Sequence, residues 1–270
     1  MLVLVSPAKT LDYDSELKAD DFSVASHLSD SELLVKELQK KNPEQLASLM
    51  GLSEKLSFLN FERNMNWSKP TKPSNTARQA IFAFKGDVYQ GLDVNSLSKA
   101  DINYAQKNLC ILSGLYGILK PLDLMYPYRL EMGTKMQNNR GKNLYEFWGS
   151  KLTNHINDLS SENKSKGIVN LASMEYFSAI KEDELNLPVI SPIFKDYKNG
   201  KYKIISFFAK KARGSMARFI VQNKIKKVED LNDFNLDGYS YSKNDSETNK
   251  PVFLRKKLDP NLAIKVFSSR

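Results

Sequence analysis

Residues 112–133 read LSGLYGILKPLDLMYPYRLEMG. The run is apolar enough for a core, yet Gly114, Gly117, Pro121, Pro127 and Gly133 rule out a single helix. Lys120, Asp123, Arg129 and Glu131 are embedded in it, and a buried charge is costly unless paired. A sharply turned, buried segment with charges inside it is either a site or a constrained scaffold under one. Gly114 and Gly117 bracket Leu115-Tyr116, which suits a hairpin whose backbone bends or is closely approached. The exposed N–H groups of such a turn can hold a phosphate. Arg129 and Glu131 are two apart and share one face if the chain is extended.

Working outward, two short β-branched runs read as buried strands, Leu2–Val5 and Ile168–Leu171. Each ends in a polar turn, the first with Ser6, Pro7 and Lys9, the second with Asn170, Ser173 and Glu175, where Ser173 is placed to N-cap a helix. Open α/β sheets bind ligands outside the carboxyl ends of their strands. If these two strands are parallel neighbours, their turns converge on one rim. The bland alternative is that Ser6 caps backbone and Lys9 is solvated.

Three amphipathic helices are expected over Ser29–Lys41, Glu44–Met50 and from Ser53 on. Further helices are expected over Ala77–Phe84, which Gly86 follows as a stop, over Ser98–Cys110 and over Gly141–His155; a strand is expected to start at Ile111. Val189–Tyr197 and Lys201–Phe208 flank Asn199-Gly200, a strong hairpin signal. Tyr239–Tyr241 and Pro251–Arg255 read as a final hairpin, and Ile264–Phe267 as a last strand. Between the hairpins, AKKARGSMARFIVQN (Ala209–Asn223) places Ala209, Ala212, Met216, Phe219 and Ile220 on one helical face. Lys210, Lys211, Arg213 and Arg218 fall off that face, beside Gly214, as a phosphate-contact surface or as a solvated face. Helices and strands intermix along the whole chain without repeat or long linker. The fold class is therefore α/β, one mixed domain over 1–270 with a mixed sheet flanked by helices.

The 270 residues carry 40 Lys plus Arg against 31 Asp plus Glu, a net charge of +9 that favours anionic partners. Cys110 is the one cysteine, so no intramolecular disulfide forms, and its apolar neighbours mark it as a core residue. His27 and His155 are far apart in sequence, and no His/Cys/Asp/Glu spacing supports a metal site. No cofactor is called for. The N-terminal MLVLV run is too short and lacks the basic flank of a signal peptide, and no apolar run of about 18 residues would span a membrane.

The segments MLVLVSPAKTLD, AFKGDVYQGL, LSGLYGILKPLDLMYPYRLEMG, NLYEFW, NLASMEYF and KIISFFAKKARGSMARFI resemble the YaaA peroxide-stress proteins of bacteria, from Met1 to about Gly238. The resemblance implies a cytoplasmic protein made under hydrogen peroxide stress that helps keep unincorporated iron low and so limits oxidative damage to DNA. It also implies a family-specific fold with a positively charged cleft, DNA binding, and a helix-hairpin-helix-like segment. That segment is placed at Leu112–Lys120, although Gly114 and Gly117 are three apart rather than two and Pro121 interrupts the second helix. There, backbone N–H groups near Gly114 and Gly117, with Lys120, would contact a phosphate.

Two functions compete. One is weakly sequence-specific DNA binding, on double-stranded or partly unpaired DNA, through Lys9, Lys120, Lys210, Lys211, Arg213 and Arg218. The other is an enzyme acting on a nucleobase, a nucleotide or damaged DNA. Glu175 is then a candidate base and Lys9 a candidate partner, with Ser6, Arg129, Asn170, Ser173 and Lys210 around a nucleotide-like small molecule. Direct iron storage ranks below both, because His and Cys are too few.

Overall fold

Leu2–Val5 is the middle strand of a five-stranded sheet in a computed structural model that describes residues 1–16, 21–74 and 76–256. Across the sheet the strands run Gly117–Leu119, Leu109–Ser113, Leu2–Val5, Ile168–Leu171, Val189–Ile190. Val3 pairs with Leu109 on one side and Val169 on the other, both parallel. All four residues of Leu2–Val5 are buried, as a parallel sheet covered on both faces requires. The two strands read from the sequence are thus parallel neighbours, and Ser6 and Ser173 follow their carboxyl ends.

The opening segment folds differently from its helix-hairpin-helix reading. Leu109–Ser113 turns at Gly114-Leu115-Tyr116 into the antiparallel strand Gly117–Leu119, with Leu112 opposite Ile118. Both glycines are buried. A Cβ on Gly114 would lie 2.3 Å from the Leu130 carbonyl oxygen, and Gly117, at φ +68°, sits under the Trp148 ring. The turn is closed by the core and presents no backbone to a phosphate. Pro121, which removes a helical donor, and the β-branched or apolar run on either side made strands the better solution. Because the second strand runs back, Lys120 ends up near the amino end of the sheet, beside Asp123 and His155.

Val189–Tyr197 divides at Ser191-Pro192. Val189–Ile190 edges the main sheet, and Ile193–Lys198 enters a second sheet ordered Lys201–Lys203, Ile193–Lys198, Lys250–Arg255, Ser240–Glu247. Proline cannot donate to a ladder, so the chain changes sheets there. Asn199 and Gly200 take φ of 55° and 79° in the hairpin turn, the signs its two-residue form requires. The Lys201–Phe208 strand is shorter than expected, because helix Ser206–Asn223 starts within it. Ala77–Phe84 forms only one helical turn, Ala80–Ala83, between two-residue strands. Gly141–His155 becomes helices Leu144–Trp148 and Lys151–Glu162, broken at Gly149 with φ +51°. The Ser240–Glu247 and Lys250–Arg255 hairpin forms as expected, and the Ile264–Phe267 strand lies outside the described residues.

Helix Ser206–Asn223 covers the sheet and packs on the short helix Asp87–Leu92. Gly91 and Gly214 set that contact: a Cβ on Gly91 would lie 2.1 Å from the Lys211 carbonyl oxygen, and one on Gly214 1.8 Å from that of Val88. The two backbones touch where neither helix has a side chain. Beneath the second sheet the buried Arg255 Nε donates to Asp196 Oδ1 at 2.6 Å, and the Tyr239 hydroxyl donates to Asp196 Oδ2 at 3.0 Å. On the opposite flank the chain's two histidines, remote in sequence, meet: His27 Nε2 lies 2.8 Å from His155 Nδ1.

Candidate functional site

A cleft of about 500 Å³ opens at the carboxyl end of the parallel strands. Its floor comes from strand ends. The Ser173 backbone N–H donates to Ser6 Oγ at 2.8 Å, the Ser6 hydroxyl reaches Ser173 Oγ at 3.3 Å, and the Tyr89 hydroxyl donates to the Ser6 carbonyl at 3.1 Å. Ser173 does occupy the N-cap position of Met174–Phe177, but its side chain meets Ser6 instead of capping. Tyr128 and Tyr176 close the bottom; burial pushes both phenols up, so they stay neutral.

One wall comes from residues 129–133 and 173–176. Glu131 sits between two cations: its Oε2 is 2.8 Å from Lys9 Nζ, and its Oε1 is 3.0 Å from Arg129 Nε and 2.9 Å from the Arg129 terminal nitrogen. The Gly133 N–H donates to Glu175 Oε1 at 3.0 Å, which fixes that carboxylate on the same wall. The Tyr145 hydroxyl donates to the Glu175 backbone carbonyl at 2.9 Å.

Another wall comes from the contact between helices Ser206–Asn223 and Asp87–Leu92. Lys210 and Arg213 are three apart and share a side of helix Ser206–Asn223, while Lys85, Gly86 and Asp87 lead into the short helix against it. Lys85 Nζ is 3.8 Å from Asp12 Oδ2. Burial raises the Asp87 carboxyl pKa, and Lys210 opposes the shift. Arg213 is half-buried, and burial lowers its pKa. Among the described residues no hydrogen bond or ion pair engages its guanidinium. In all, Lys9, Lys85, Arg129, Lys210 and Arg213 face Asp87, Glu131 and Glu175 around the cleft, an excess of positive charge.

The structure brings together Ser6, Lys9, Arg129, Ser173, Glu175, Lys210 and Arg213 from four remote segments. It leaves the other candidates elsewhere. Asn170 spends its side chain within the turn, its carbonyl accepting from the Ala172 N–H at 3.0 Å and its amide 3.4 Å from Ser191 Oγ. Lys211 pairs with Asp237 at 3.6 Å on another side of the helix. The Arg218 guanidinium holds the Leu92 and Asp93 carbonyls at 3.1 and 3.0 Å, a structural strap between helices. Gly114, Gly117 and Lys120 belong to the core hairpin and its far end. Lys85, Asp87, Tyr128 and Tyr176 were missed. Lys85-Gly86-Asp87 reads as a helix stop, and only the Gly91–Gly214 approach turns it toward the basic helix.

The fold and site define a mixed α/β protein whose mixed five-stranded sheet carries a cleft with an excess of cations at the carboxyl ends of its parallel strands. The family model described as peroxide stress protein YaaA matches residues 1–245, and the chain belongs to that family. It is 53% identical over 255 residues to a UPF0246 protein of Shewanella pealeana, covering 94% of this chain and 99% of that one. It is 55% identical to a UPF0246 protein of Aliivibrio fischeri over 94% of this chain and 98% of that one. A UPF0246 protein of Colwellia psychrerythraea is 54% identical over 256 residues, 95% of this chain and 99% of that one. Among the described residues no helix is long and apolar enough to cross a membrane, and no three His, Cys, Asp or Glu side chains gather as metal ligands.

Proposed function

We propose that this peroxide-stress protein acts in the cytoplasm by binding DNA through the cationic cleft, with one unpaired nucleotide entering it. The observation that carries the reading is Arg213, a half-buried guanidinium in the cleft with no hydrogen bond or ion pair among the described residues. An unpaired buried charge is costly, and a bidentate phosphate contact offsets that cost. The cleft volume supports an unpaired strand over an intact duplex: about 500 Å³ matches small-ligand pockets of roughly 300–1,000 Å³, which take one flipped or single-stranded nucleotide.

Binding of this kind also limits iron-dependent damage. Lysines and arginines that neutralise phosphates release condensed counterions, ferrous ion among them, so hydroxyl radical forms farther from the strand. Fluorescence anisotropy with single-stranded, bubble and duplex oligonucleotides tests the reading, from about 50 to 200 mM salt. Single-stranded and bubble DNA are expected to bind more tightly than duplex, and all binding to fall steeply with salt. Absence of binding to any of the three at the lowest salt overturns it. A second reading, catalysis on a nucleotide, is favoured by the placement of Glu175 and Lys9 on the same cleft with two strand-end hydroxyls. Chromatography of nucleotides and oligonucleotides after incubation separates the two, since binding alone returns them unchanged.

A further inference from the structure

The two walls differ in charge. On the 129–133 side, Lys9 and Arg129 share Glu131 at 2.8 to 3.0 Å, and Glu175 adds a second carboxylate, so cations and anions balance. On the helix side, Lys85 reaches back to Asp12, and Asp87, which feels the charge of Lys210, is the one carboxylate among the described cleft residues there. Arg213 has no acceptor among the described residues. A phosphate is therefore drawn to the helix wall, where the cations are unmatched, and is disfavoured beside Glu131 and Glu175.

Glu175 has one oxygen, Oε1, held by the Gly133 N–H at 3.0 Å. Its other oxygen has no hydrogen-bond donor among the described residues, and Glu175 lines the cleft. An ionised carboxylate only accepts hydrogen bonds, so what meets it must donate. Tyr128 and Tyr176, both largely buried, also line the cleft and give it aromatic surface against which a ring can lie.

Resting on the nucleotide reading above, we infer that the cleft is polar end to end: Arg213 and Lys210 take the phosphate of a nucleoside monophosphate unit, and Glu175 takes the exocyclic amine of its base. The ligand class is thereby narrowed to phosphate-bearing nucleotides whose base carries an N–H donor. Arg213 supplies a planar fork that matches phosphate oxygens, and Lys210, three residues earlier on the helix, supplies a second charge.

The test is calorimetric titration of the full chain with four probes: inorganic phosphate, adenosine, adenosine 5′-monophosphate, and purine riboside 5′-monophosphate, which lacks the amine. Wild-type protein is expected to bind adenosine 5′-monophosphate best. Arg213→Gln is expected to weaken both phosphate-bearing nucleotides by roughly ten- to a hundredfold, the worth of a charge-assisted hydrogen bond, and to leave adenosine unchanged. Lys210→Gln, at an exposed position, repeats the direction of that effect should Arg213→Gln fold poorly. Glu175→Gln is the informative partner. The Gly133 N–H holds the new amide oxygen in place and turns its NH₂ toward the ligand, donor against donor. Phosphate affinity then stays unchanged while the preference for adenosine 5′-monophosphate over purine riboside 5′-monophosphate disappears.

If no phosphate-bearing probe binds wild-type protein, the nucleotide reading of the cleft fails and the inference with it. If the nucleotides bind, but Arg213→Gln weakens adenosine equally, the division of the cleft is overturned while nucleotide binding stands. The same holds if Glu175→Gln leaves the base preference intact.

Discussion

Replacing Gly214 with alanine is, on helix propensity alone, a gain of about 1 kcal/mol, since Gly214 lies in the interior of an 18-residue helix. The tertiary structure reverses the sign. The new methyl would sit 1.8 Å from the Val88 carbonyl oxygen, 2.7 Å from the Val88 carbonyl carbon and 2.9 Å from the Leu92 nitrogen. Ordinary non-bonded contact is near 3.5 Å, so the helices must part by about 1.7 Å. Each atom met is backbone, which cannot swing aside as a side chain end would. Overpacking a core costs about 1–3 kcal/mol, and with no soft neighbour the upper end applies. Subtracting the propensity gain leaves a net loss of about 2 kcal/mol, or about 4–8 °C in Tm for a chain this long.

Urea denaturation followed by tryptophan fluorescence measures the loss. Oligonucleotide anisotropy on the same sample measures the cleft, because parting these helices moves Asp87 away from Lys210 and Arg213. Gly91→Ala meets the Lys211 carbonyl oxygen at 2.1 Å across the same contact, so the double variant should lose less than the two single losses combined, one separation serving both methyls. A Gly214→Ala protein as stable as wild type, or strictly additive losses, would refute the backbone-to-backbone account of this wall.

Three further outcomes are expected. Arg213→Gln should lower the slope of log K against log salt for single-stranded DNA by about 0.7, one phosphate contact fewer, whereas Arg218→Gln, a strap to the Leu92 and Asp93 carbonyls, should cost stability and leave the slope alone. Burial, then the neighbouring His155, lowers the His27 pKa to about 4. The unfolded chain, near 6.5, therefore holds more protons between those values, so stability falls by up to about 3 kcal/mol as pH drops from 6.5 towards 4; urea titrations across that window should show a flatter slope for His27→Gln. Burial pushes the Cys110 thiol up to about 12, so a thiol reagent at pH 8 should modify native protein no faster than it unfolds; rapid labelling of folded protein would contradict its place in the core.

The arrangement of the site was legible in part because strands announce themselves locally. Leu2–Val5 and Ile168–Leu171 are β-branched runs closed by polar turns, and once paired in parallel they can only deliver Ser6 and Ser173 to the same rim. The Asn199-Gly200 turn and the apolar face of helix Ser206–Asn223 are equally local signals. Residues 112–120 were not legible, because Gly-apolar-apolar-Gly permits a phosphate-binding turn or a tight hairpin. Burial beneath Trp148 and against Leu130 chose the hairpin.

The sequence by itself determined a mixed α/β chain, its cationic character, and a basic helix with four candidate contacts. Only the tertiary structure decided that Lys210 and Arg213 enter the cleft while Lys211 and Arg218 tie the helix to its neighbours. Amphipathicity fixes which side of a helix is buried, but not how the remaining sides are shared between a ligand and the rest of the protein. Here that rotation is set by Gly91 against Gly214, two residues 123 positions apart whose missing side chains let two backbones touch.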